Sequence, residues 1–394
     1  MLTEQLLTSN PLLSVQLSTS IFEKNREKYF LSVIAKRTYD INKNGVCKLS
    51  NIQEGLHTDI VFYEPEGELI KHDFDLYPLK PFTDVVIKGQ VKGDNKTTRL
   101  QAAIEIENQT PFLINVYGHR KAVKNNYNKI IFTEPGIIES IPLRYDFAYG
   151  GIDHIAEAQM PDVPKDLKKA NPAMDWGGSS LYRYPRNPCG KGYLVHDHAD
   201  AFENLDLPNL EYPKMLLTPD NLVLNDPYNW VNQPLPRASD WINLAWFPRI
   251  AYIGVLPFND KEGTIKNIPE TMDNLVEPDL LHIINNPVPF NTRASNGGTL
   301  GLQFANLIGN EFIKLKNIHP DSPNFVMQLP IDVPKIWVDG RAGKLLETKP
   351  VMHTILIEPD ENRLSIIWRG SAPALRPYMQ EELKTMPFKV DWNI

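Results

Sequence analysis

The sequence predicts a mainly β fold, in which antiparallel β-sandwich or distorted-barrel units flank a loop-rich, proline-rich middle and helices are few and short. Short runs of β-branched and aromatic residues fill the first 145 residues and return near the end of the chain. Between them, proline and glycine recur every few residues and hydrophobic periodicity is lost. We therefore expect an N-terminal antiparallel β unit at 1–148, a proline- and tryptophan-rich loop region at 149–270 packed on the β units, and a C-terminal β unit with short helices at 271–394.

The N-terminal unit is predicted from a series of short strands. Residues 29–40 mix β-branched and aromatic side chains without helical spacing, which is typical of a strand. Residues 99–107 alternate apolar and polar side chains, so one face of this strand is expected to meet the core and the other to meet water. The turn at 93–96 predicts a hairpin between this strand and residues 85–92. Further strands are predicted at 112–117, 129–133 and 137–141.

The middle region is predicted to be ordered loop with short helices rather than a linker. Trp176, Trp230, Trp241 and Trp246 all lie in it. Tryptophan side chains usually need burial, so this region is expected to pack on the rest of the protein.

The C-terminal unit is predicted from a second hairpin and two short helices. Residues 351–357 and 363–368 are strand-like and flank a turn-forming segment. The plausible helices, at 271–284 and 375–386, are each broken or limited by proline.

Composition narrows the functional class. The chain has 41 Lys and Arg against 48 Asp and Glu, a net charge of -7, and no basic run of five or more residues, which argues against nucleic acid as the main partner. The two cysteines, Cys47 and Cys189, suit a reducing compartment. The N-terminal residues lack the pattern of a secretion signal, and no window approaches eighteen consecutive apolar residues. A cytoplasmic location is expected.

One segment could hold a metal ion. In an extended chain the side chains of His196, His198 and Asp200 share a face, and two histidines with a carboxylate are a common metal-binding set. A metal-dependent hydrolase is therefore an alternative function. The other interpretation is a solvated polar loop, since no further spaced ligand is identifiable.

Other candidate sites have plain structural interpretations. Cys189 could be an activated nucleophile, but a small residue packed in a glycine-rich turn is favoured. The segment Gly340–Leu345 contains a Gly-Lys pair, but its spacing differs from a phosphate-binding loop and predicts a hairpin turn. Glu105 and Glu107 share a strand face with polar neighbours, which favours a solvated face over a glycosidase pair.

Aromatic residues in the middle region admit two interpretations. Trp230, Trp241, Trp246 and Phe247 could form a platform for a peptide or a sugar. Packing in the core or under loops is the favoured alternative.

The segment Asp73–Gly89 is the most distinctive in the chain. It contains two prolines and the charged residues Lys80 and Asp84 directly before the β-branched run at 85–87. A structural interpretation has Asp84 capping or pairing within this turn and Lys80 neutralising a buried acceptor. The alternative is direct contact with a partner.

Several segments together resemble a bacterial family of unknown function that is encoded beside type VI secretion genes. The ordered matches run from about residue 30 to about residue 370, which is more specific than any one of them. The matching segments are Val33–Asp40, Lys80–Val85, His119–Arg120, Phe132–Thr133, Pro142–Gly151, Arg186–Tyr193, Leu207–Glu211, Pro213 and Ile367–Arg369.

The resemblance implies a non-enzymatic adaptor or chaperone. Such a protein binds a type VI effector and helps to load it onto the PAAR or VgrG spike, with no membrane insertion, no metal and no cofactor. A structural component of a tail-like assembly is a further alternative. The motif positions, expected to be structural or partner-binding, are Lys80, Pro81, Thr83, Asp84, Arg120, Gly150, Gly151, Asn187, Pro188, Gly190, Gly192, Trp368 and Arg369.

Overall fold

The structure is a computed structural model. It describes residues 13–18, 29–64, 67–77, 79–158, 182–195, 202–225, 230, 232–252, 292–305, 307–339, 343–376, 378–383 and 385–392. Within these ranges, no helix has the length and apolar character needed to cross a membrane.

The described residues form a mainly β fold. The strands of the first half are β1 (Leu13–Ser18), β2 (Tyr29–Ile41), β3 (Cys47–Leu49), β4 (Val61–Phe62), β5 (Ile70–His72), β6 (Thr83–Ile87), β7 (Gln90–Lys92), β8 (Arg99–Ile106), β9 (Phe112–Tyr117), β10 (Lys121–Lys124), β11 (Ile130–Phe132), β12 (Ser140–Pro142) and β13 (Tyr149–Gly150). Those of the second half are β14 (Lys191–Gly192), β15 (Leu194–Val195), β16 (Asn204–Asp206), β17 (Leu210–Glu211), β18 (Val223–Leu224), β19 (Gln303–Phe304), β20 (Phe312–His319), β21 (Ser322–Gln328), β22 (Pro334–Val338), β23 (Leu346–Glu347), β24 (Val351–Glu358), β25 (Arg363–Ala374) and β26 (Phe388–Trp392).

Helical segments in the described ranges are short. The α-helices are α1 (His154–Ala158), α2 (Arg249–Tyr252) and α3 (Gln380–Leu383). Single turns of 3-10 helix lie at Tyr145–Phe147, Thr292–Ser295 and Pro359–Glu361. Helix α3 lies inside the predicted helical segment 375–386, whereas the segment predicted at 271–284 is outside the described residues.

The largest sheet in the described part of the chain has seven strands, in the order β1-β2-β25-β24-β6-β19, with β3 paired to β2. Strand β2 pairs antiparallel with β25 over twelve residue pairs, from Tyr29 with Ala374 to Asp40 with Arg363. Strands β24 and β25 form the hairpin predicted from residues 351–357 and 363–368, which is confirmed. This sheet joins strands from 1–148 and 271–394. The predicted three-part division therefore describes segments of the sequence and not separate sheets.

A second sheet contains five strands within the described ranges, in the order β17-β9-β8-β20-β21. Smaller sheets have the orders β11-β10-β16, β23-β22-β26, β12-β7, β13-β14, β15-β18 and β4-β5. As far as the described residues extend, no sheet closes into a barrel. Of the two predicted architectures, the sandwich is therefore the one that these sheets support.

The predicted hairpin between residues 85–92 and 99–107 is wrong. Strand β6 pairs in parallel with β24, whereas the short strand β7 pairs with β12. Strand β8 pairs with β9 and β20. All five residues of β6 are buried, and a strand buried on both faces is stabilised in the interior of a sheet rather than in a two-stranded ribbon.

The main core lies between the two large sheets. Ile104 and Ile114 of the five-stranded sheet and Ile355 and Ile366 of the seven-stranded sheet belong to one cluster, each at most 1% exposed. On the opposite face of β8, Arg99 and Gln101 are exposed and Glu105 is half-buried. The prediction of a solvated face in this strand is confirmed.

The tryptophans of the middle region pack inside the protein. Trp230, Trp241, Trp246 and Phe247 are between 3% and 8% exposed. The interpretation as an aromatic platform open to a ligand is therefore wrong, and the prediction of burial is confirmed for these four residues. Trp176 is outside the described residues.

Candidate functional site

The segment Asp73–Gly89 contributes a buried ion pair to the centre of the fold. Lys80 Nζ lies 2.9 Å from Asp84 Oδ2, and the two side chains are 1% and 0% exposed. Lys80 also donates to Thr354 Oγ1 on β24 at 3.0 Å. Asp84 accepts hydrogen bonds from Asn296 Nδ2 at 2.8 Å and from the Gly297 backbone N–H at 3.0 Å. The pair therefore joins the turn, the central sheet and the loop before β19.

A second buried pair lies close to the first. The guanidinium of Arg249 is 3.1 Å from Asp73 Oδ2, and both side chains are 1% exposed. Arg249 also donates to the backbone carbonyls of Ile242 and Ala294 and to the hydroxyl of Tyr77. Such pairs fix the position of a chain more than they stabilise it, because desolvation offsets most of the electrostatic gain.

Asn187 holds two chain segments together at a close crossing. Its side-chain amide donates to the carbonyls of Tyr145 and Tyr149 at 2.7 and 3.0 Å. A Cβ on Gly150 would lie 2.0 Å from Asn187 O, and a Cβ on Gly190 would lie 2.5 Å from Asn187 Nδ2. Only glycine permits this approach, so these motif positions shape the backbone.

Arg120 and Glu211 form a further buried contact. The Arg120 guanidinium hydrogen-bonds the Glu211 carboxylate and lies 4.0 Å from the centre of the Tyr117 ring. Burial raises the pKa of Glu211 to about 7, against the opposing effect of the Arg120 charge. The pair links strand β17 to the chain that follows β9.

The remaining motif positions also lie at packed places. Thr83 donates to the Met352 carbonyl at 2.8 Å, and Trp368 is 2% exposed in the core. Burial lowers the pKa of Arg369 to about 10. Gly151 and Gly192 are buried, Pro188 is half-buried and Pro81 is exposed. Most of the motif therefore forms the interior of the protein, and a partner has little direct access to it.

Four chain segments meet at a small cavity: the motif-bearing segments at Tyr145 and Arg186, and two further segments at 235–248 and 299–300. This Arg186/Arg237 pocket has a volume of about 40 Å³. Its floor is buried, and its rim is half-exposed at Pro236, Arg237, Pro248 and Leu300. The lining includes Tyr145, Arg186, Leu235, Ile242, Phe247 and Thr299.

A second surface feature lies at the edge of the five-stranded sheet. Phe312 pairs with Gln328 across β20 and β21, and Gln328 also bridges to Val46. Paired residues share a face, and Val326, two residues from Gln328, lies on that face too. Val46, Phe312 and Val326, here called the apolar edge, are 51%, 47% and 45% exposed.

The sequence-derived metal candidate lies outside the described residues, because His196, His198 and Asp200 fall between the ranges that end at 195 and begin again at 202. Within the described ranges, no three His, Cys, Asp or Glu side chains are grouped to hold a metal ion. Cys47 and Cys189 are both reduced and half-buried.

The turn predicted at Gly340–Leu345 lies partly outside the described residues, because the described ranges end at 339 and begin again at 343. The strands on either side, β22 and β23, pair antiparallel through Trp337 with Glu347 and Val338 with Leu346.

Sequence patterns did not indicate the pocket or the apolar edge. Arg237 lies in a proline-rich stretch without periodicity, and only the fold brings it to Tyr145 and Thr299. Val326 and Phe312 could have been found from the sequence, because they are apolar residues at outward positions of strands whose side chains alternate between buried and exposed. Their adjacency to Val46, however, depends on a long-range bridge.

Comparison with known protein families gives a match over most of the chain. The family described as "Uncharacterized protein conserved in bacteria (DUF2169)" matches residues 26–369. Comparison with the curated proteins and with the solved structures found no match. The matched range includes the three buried pairs described above, the Asn187 crossing, the Arg186/Arg237 pocket and the apolar edge.

Proposed function

This chain belongs to DUF2169, a family of uncharacterized proteins conserved in bacteria, and we propose that it is a non-enzymatic adaptor or chaperone that acts in type VI secretion. In this proposal the protein binds an effector in the cytoplasm and helps to load it onto the PAAR or VgrG spike. The proposal combines the resemblance of the motif segments with one structural observation, the apolar edge.

The apolar edge supports a protein partner. Val46, Phe312 and Val326 are each about half exposed, although they lie on one continuous sheet face. Grouped apolar side chains of this kind mark interaction surfaces more often than isolated ones do. Phe312 supplies the aromatic anchor that the centre of a protein interface favours.

The backbone beside these residues is already paired within the chain. Strand β21 is the last strand of its sheet in the described part of the chain, but the Gln328 N–H donates to the Gly45 carbonyl at 3.2 Å and Gln328 bridges to Val46. A partner would therefore bind through the side chains of the apolar edge rather than by adding a strand beside Gln328.

The proposed contact surface is separate from the buried motif. None of Val46, Phe312 and Val326 lies in the segments that carry the resemblance. The buried pairs at Lys80 and Arg249 fix the positions of chain segments inside the protein, whereas the apolar edge lies on the surface. A partner interface of the usual size would bury on the order of 1,200–2,000 Å² in total.

The test is co-expression of this chain with the product of the adjacent gene. We expect a complex that survives purification, together with improved solubility or secretion of that product. Phe312→Asp and Val326→Lys should each weaken binding by roughly tenfold or more, because they place charge in the contact. Thermal unfolding should change much less than binding does, since about half of each side chain is exposed in the free protein.

Tyr127→Asp is the matched control. Tyr127 is 84% exposed in the turn between β10 and β11, on a different sheet, so its substitution should leave binding intact. The adaptor function is refuted if the co-expressed product forms no complex and shows no change in solubility or secretion. The proposed surface alone is refuted if binding survives both edge substitutions.

A further inference from the structure

Two histidines stack on each other in the part of the chain that contains β4 and β5. The ring centroids of His57 and His72 are 4.0 Å apart, and the ring planes differ by 18°. Both side chains are half-buried. They belong to residues 54–64 and 67–76, here called the cover. Neutral imidazoles can stack in this way, whereas two imidazoliums at this separation repel each other.

The cover packs on the seven-stranded sheet. Ile70 lies in one buried cluster with Val86 of β6 and Leu356 of β24. Leu76 lies in another cluster, which contains Ile34 of β2. The residues next to Val86 and Leu356 in their strands belong to the main core, and side chains alternate across a sheet. The cover therefore lies on the face of this sheet that is opposite the main core.

Positively charged groups from several elements lie near the two rings. The closest is Lys88, in the residue that follows β6, whose Nζ is 3.4 Å from His72 Nδ1. An ammonium group can only donate a hydrogen bond, so this contact requires a lone pair on Nδ1 and a neutral His72 ring. The charged groups that act on one or both rings, from β2, β5, the end of β6 and the cover, are Lys36, Lys71, Lys88, Asp75 and Glu54.

The carboxylates near the rings have cationic partners of their own. The pairs are Asp75 with Lys36 at 3.4 Å, Glu54 with Arg363 at 2.8 Å, and Asp73 with Arg249 at 3.1 Å. Asp240 and Glu358 act on the Lys88 ammonium. A proton on either ring would therefore add positive charge where the nearby carboxylates already have partners.

The surroundings keep both rings neutral at ordinary pH. Burial and the charge of Lys88 lower the pKa of His72 to about 3. Burial and the charge of Lys36 lower the pKa of His57 as well. A cavity of about 10 Å³ beneath the rings has room for about one water molecule. Water in this cavity would therefore hydrate an imidazolium poorly.

The backbone of the cover is fixed to the sheet beside the same rings. Asp75 Oδ2 accepts a hydrogen bond from the His57 backbone N–H at 2.9 Å, and the Asp75 N–H donates to the His57 carbonyl at 3.0 Å. Lys36 Nζ, on β2, donates to the Gly55 carbonyl at 2.9 Å. A displacement of the two rings would therefore act directly on the contacts that hold the cover in place.

We propose that the stacked His57–His72 pair is an acid-sensitive latch, which holds the cover on the sheet at neutral pH and releases it when the rings are protonated. Release uncovers the sheet residues that line the cavity, which include Leu356 of β24 and Ile367 of β25. This inference concerns the isolated chain and does not depend on the adaptor function.

The direction of the pH effect follows from the lowered pKa values. An unfolded or released histidine has a pKa of about 6.5, so it binds a proton more readily than the stacked rings do. The stability that the neutral rings contribute is fully present above about pH 6.5. It is lost progressively as the pH falls from there towards the pKa of His72 at about 3.

The test is hydrogen–deuterium exchange of the purified chain at pH 7.5 and pH 5.0, with rates corrected for the intrinsic pH dependence of amide exchange. We expect the opening equilibrium of peptides from the cover to rise at least about tenfold at the lower pH. Peptides from β8 and β9, in the other large sheet, should change by less than about twofold, because the release is local.

Substitutions assign the effect to the two rings. His72→Gln keeps an acceptor for Lys88 without a titrating ring, and His57→Phe keeps a ring for stacking. Each variant should reduce the pH effect on the cover at least about threefold, and the double variant should abolish it. His119→Gln is the matched control, because His119 is 61% exposed beside Asp206, away from the cover, and it should respond as the parent does.

A histidine NMR titration of the parent chain tests the same inference without any substitution. The His57 and His72 ring resonances should titrate below the ordinary histidine range, and titration of either ring at about 6.5 or above would overturn the inference. It is also overturned if the cover keeps its protection at pH 5.0, or if it opens together with β8 and β9. A folded double variant that keeps the pH response of the parent, or a His119→Gln variant that loses it, has the same consequence.

Discussion

Replacing Lys80 by methionine tests whether the segment Asp73–Gly89 maintains the fold. Methionine keeps most of the aliphatic stem, so the main loss is the ammonium group that lies 2.9 Å from Asp84 and 3.0 Å from Thr354. Of the hydrogen bonds described above, the buried Asp84 carboxylate would then keep only those from Asn296 and Gly297.

The magnitude follows from the burial of both partners. Removing one member of a fully buried pair costs about 3–5 kcal/mol of unfolding free energy, since the other charge stays uncompensated. The two remaining donors to Asp84 place the expected loss near the lower end, at about 3 kcal/mol. In the double variant Lys80→Met with Asp84→Asn no charge is stranded, so its loss should fall short of the sum of the single losses by about 1–3 kcal/mol.

The assay is equilibrium urea unfolding, followed by tryptophan fluorescence and by far-ultraviolet circular dichroism. Lys314→Met is the matched control, because Lys314 pairs with Glu105 at 3.4 Å while both side chains are about 40% exposed. Exposed pairs contribute about 0–1 kcal/mol, so this variant should unfold almost as the parent does. Noncoincident transitions by the two probes would require separate treatment of each unfolding step.

Equal losses in Lys80→Met and Lys314→Met would refute this reasoning, as would strict additivity in the double variant. A stable Lys80→Met protein that no longer binds its partner would instead favour direct contact by this segment.

Three further predictions concern other parts of the structure. Gly190→Ala should lower the melting temperature strongly, because its Cβ would lie 2.5 Å from Asn187 Nδ2, whereas Gly55→Ala meets nothing within 4 Å and should have little effect in the same thermal scan. Burial raises the pKa of Asp240 to about 6, so the folded state holds this proton more tightly. The stability that this proton contributes is fully present below about pH 4 and is lost as the pH rises through 6. The difference in unfolding free energy between the parent and Asp240→Asn, measured by urea unfolding, should therefore fall as the pH rises, and a constant difference would contradict the prediction. Burial raises the pKa of Cys47 to about 12, so native Cys47 should react slowly with iodoacetamide at pH 8 and quickly in urea; equal rates by mass spectrometry would disprove this.

Local elements could be predicted from the sequence because their signals are local. The strand predicted at 112–117 coincides with β9, whose side chains alternate between buried and half-buried positions. The hairpin of β24 and β25 was also predictable, since its turn residues adjoin two apolar runs. In both cases neighbouring residues contain the whole pattern.

Pairing between distant strands could not be predicted in this way. A β-branched run such as 85–87 shows that β6 is buried, but its composition does not identify β24 as a parallel neighbour. The candidate sites have the same limitation. Lys80 and Asp84 are close in sequence, and their pairing was foreseeable, whereas Arg186 and Arg237 meet only in the folded chain.

The pairing of β2 with β25 also affects how the protein can fold during synthesis. Ser32 and Ser371 hydrogen-bond each other although they are 339 residues apart in the chain. At about 5–20 residues per second, a ribosome needs roughly 20–70 seconds to make the chain between them. Until then β2 lacks its main partner strand, and its apolar residues, including Val33 and Ile34, cannot be buried in the finished sheet. Completion of the central sheet therefore has to wait until β25 has been made.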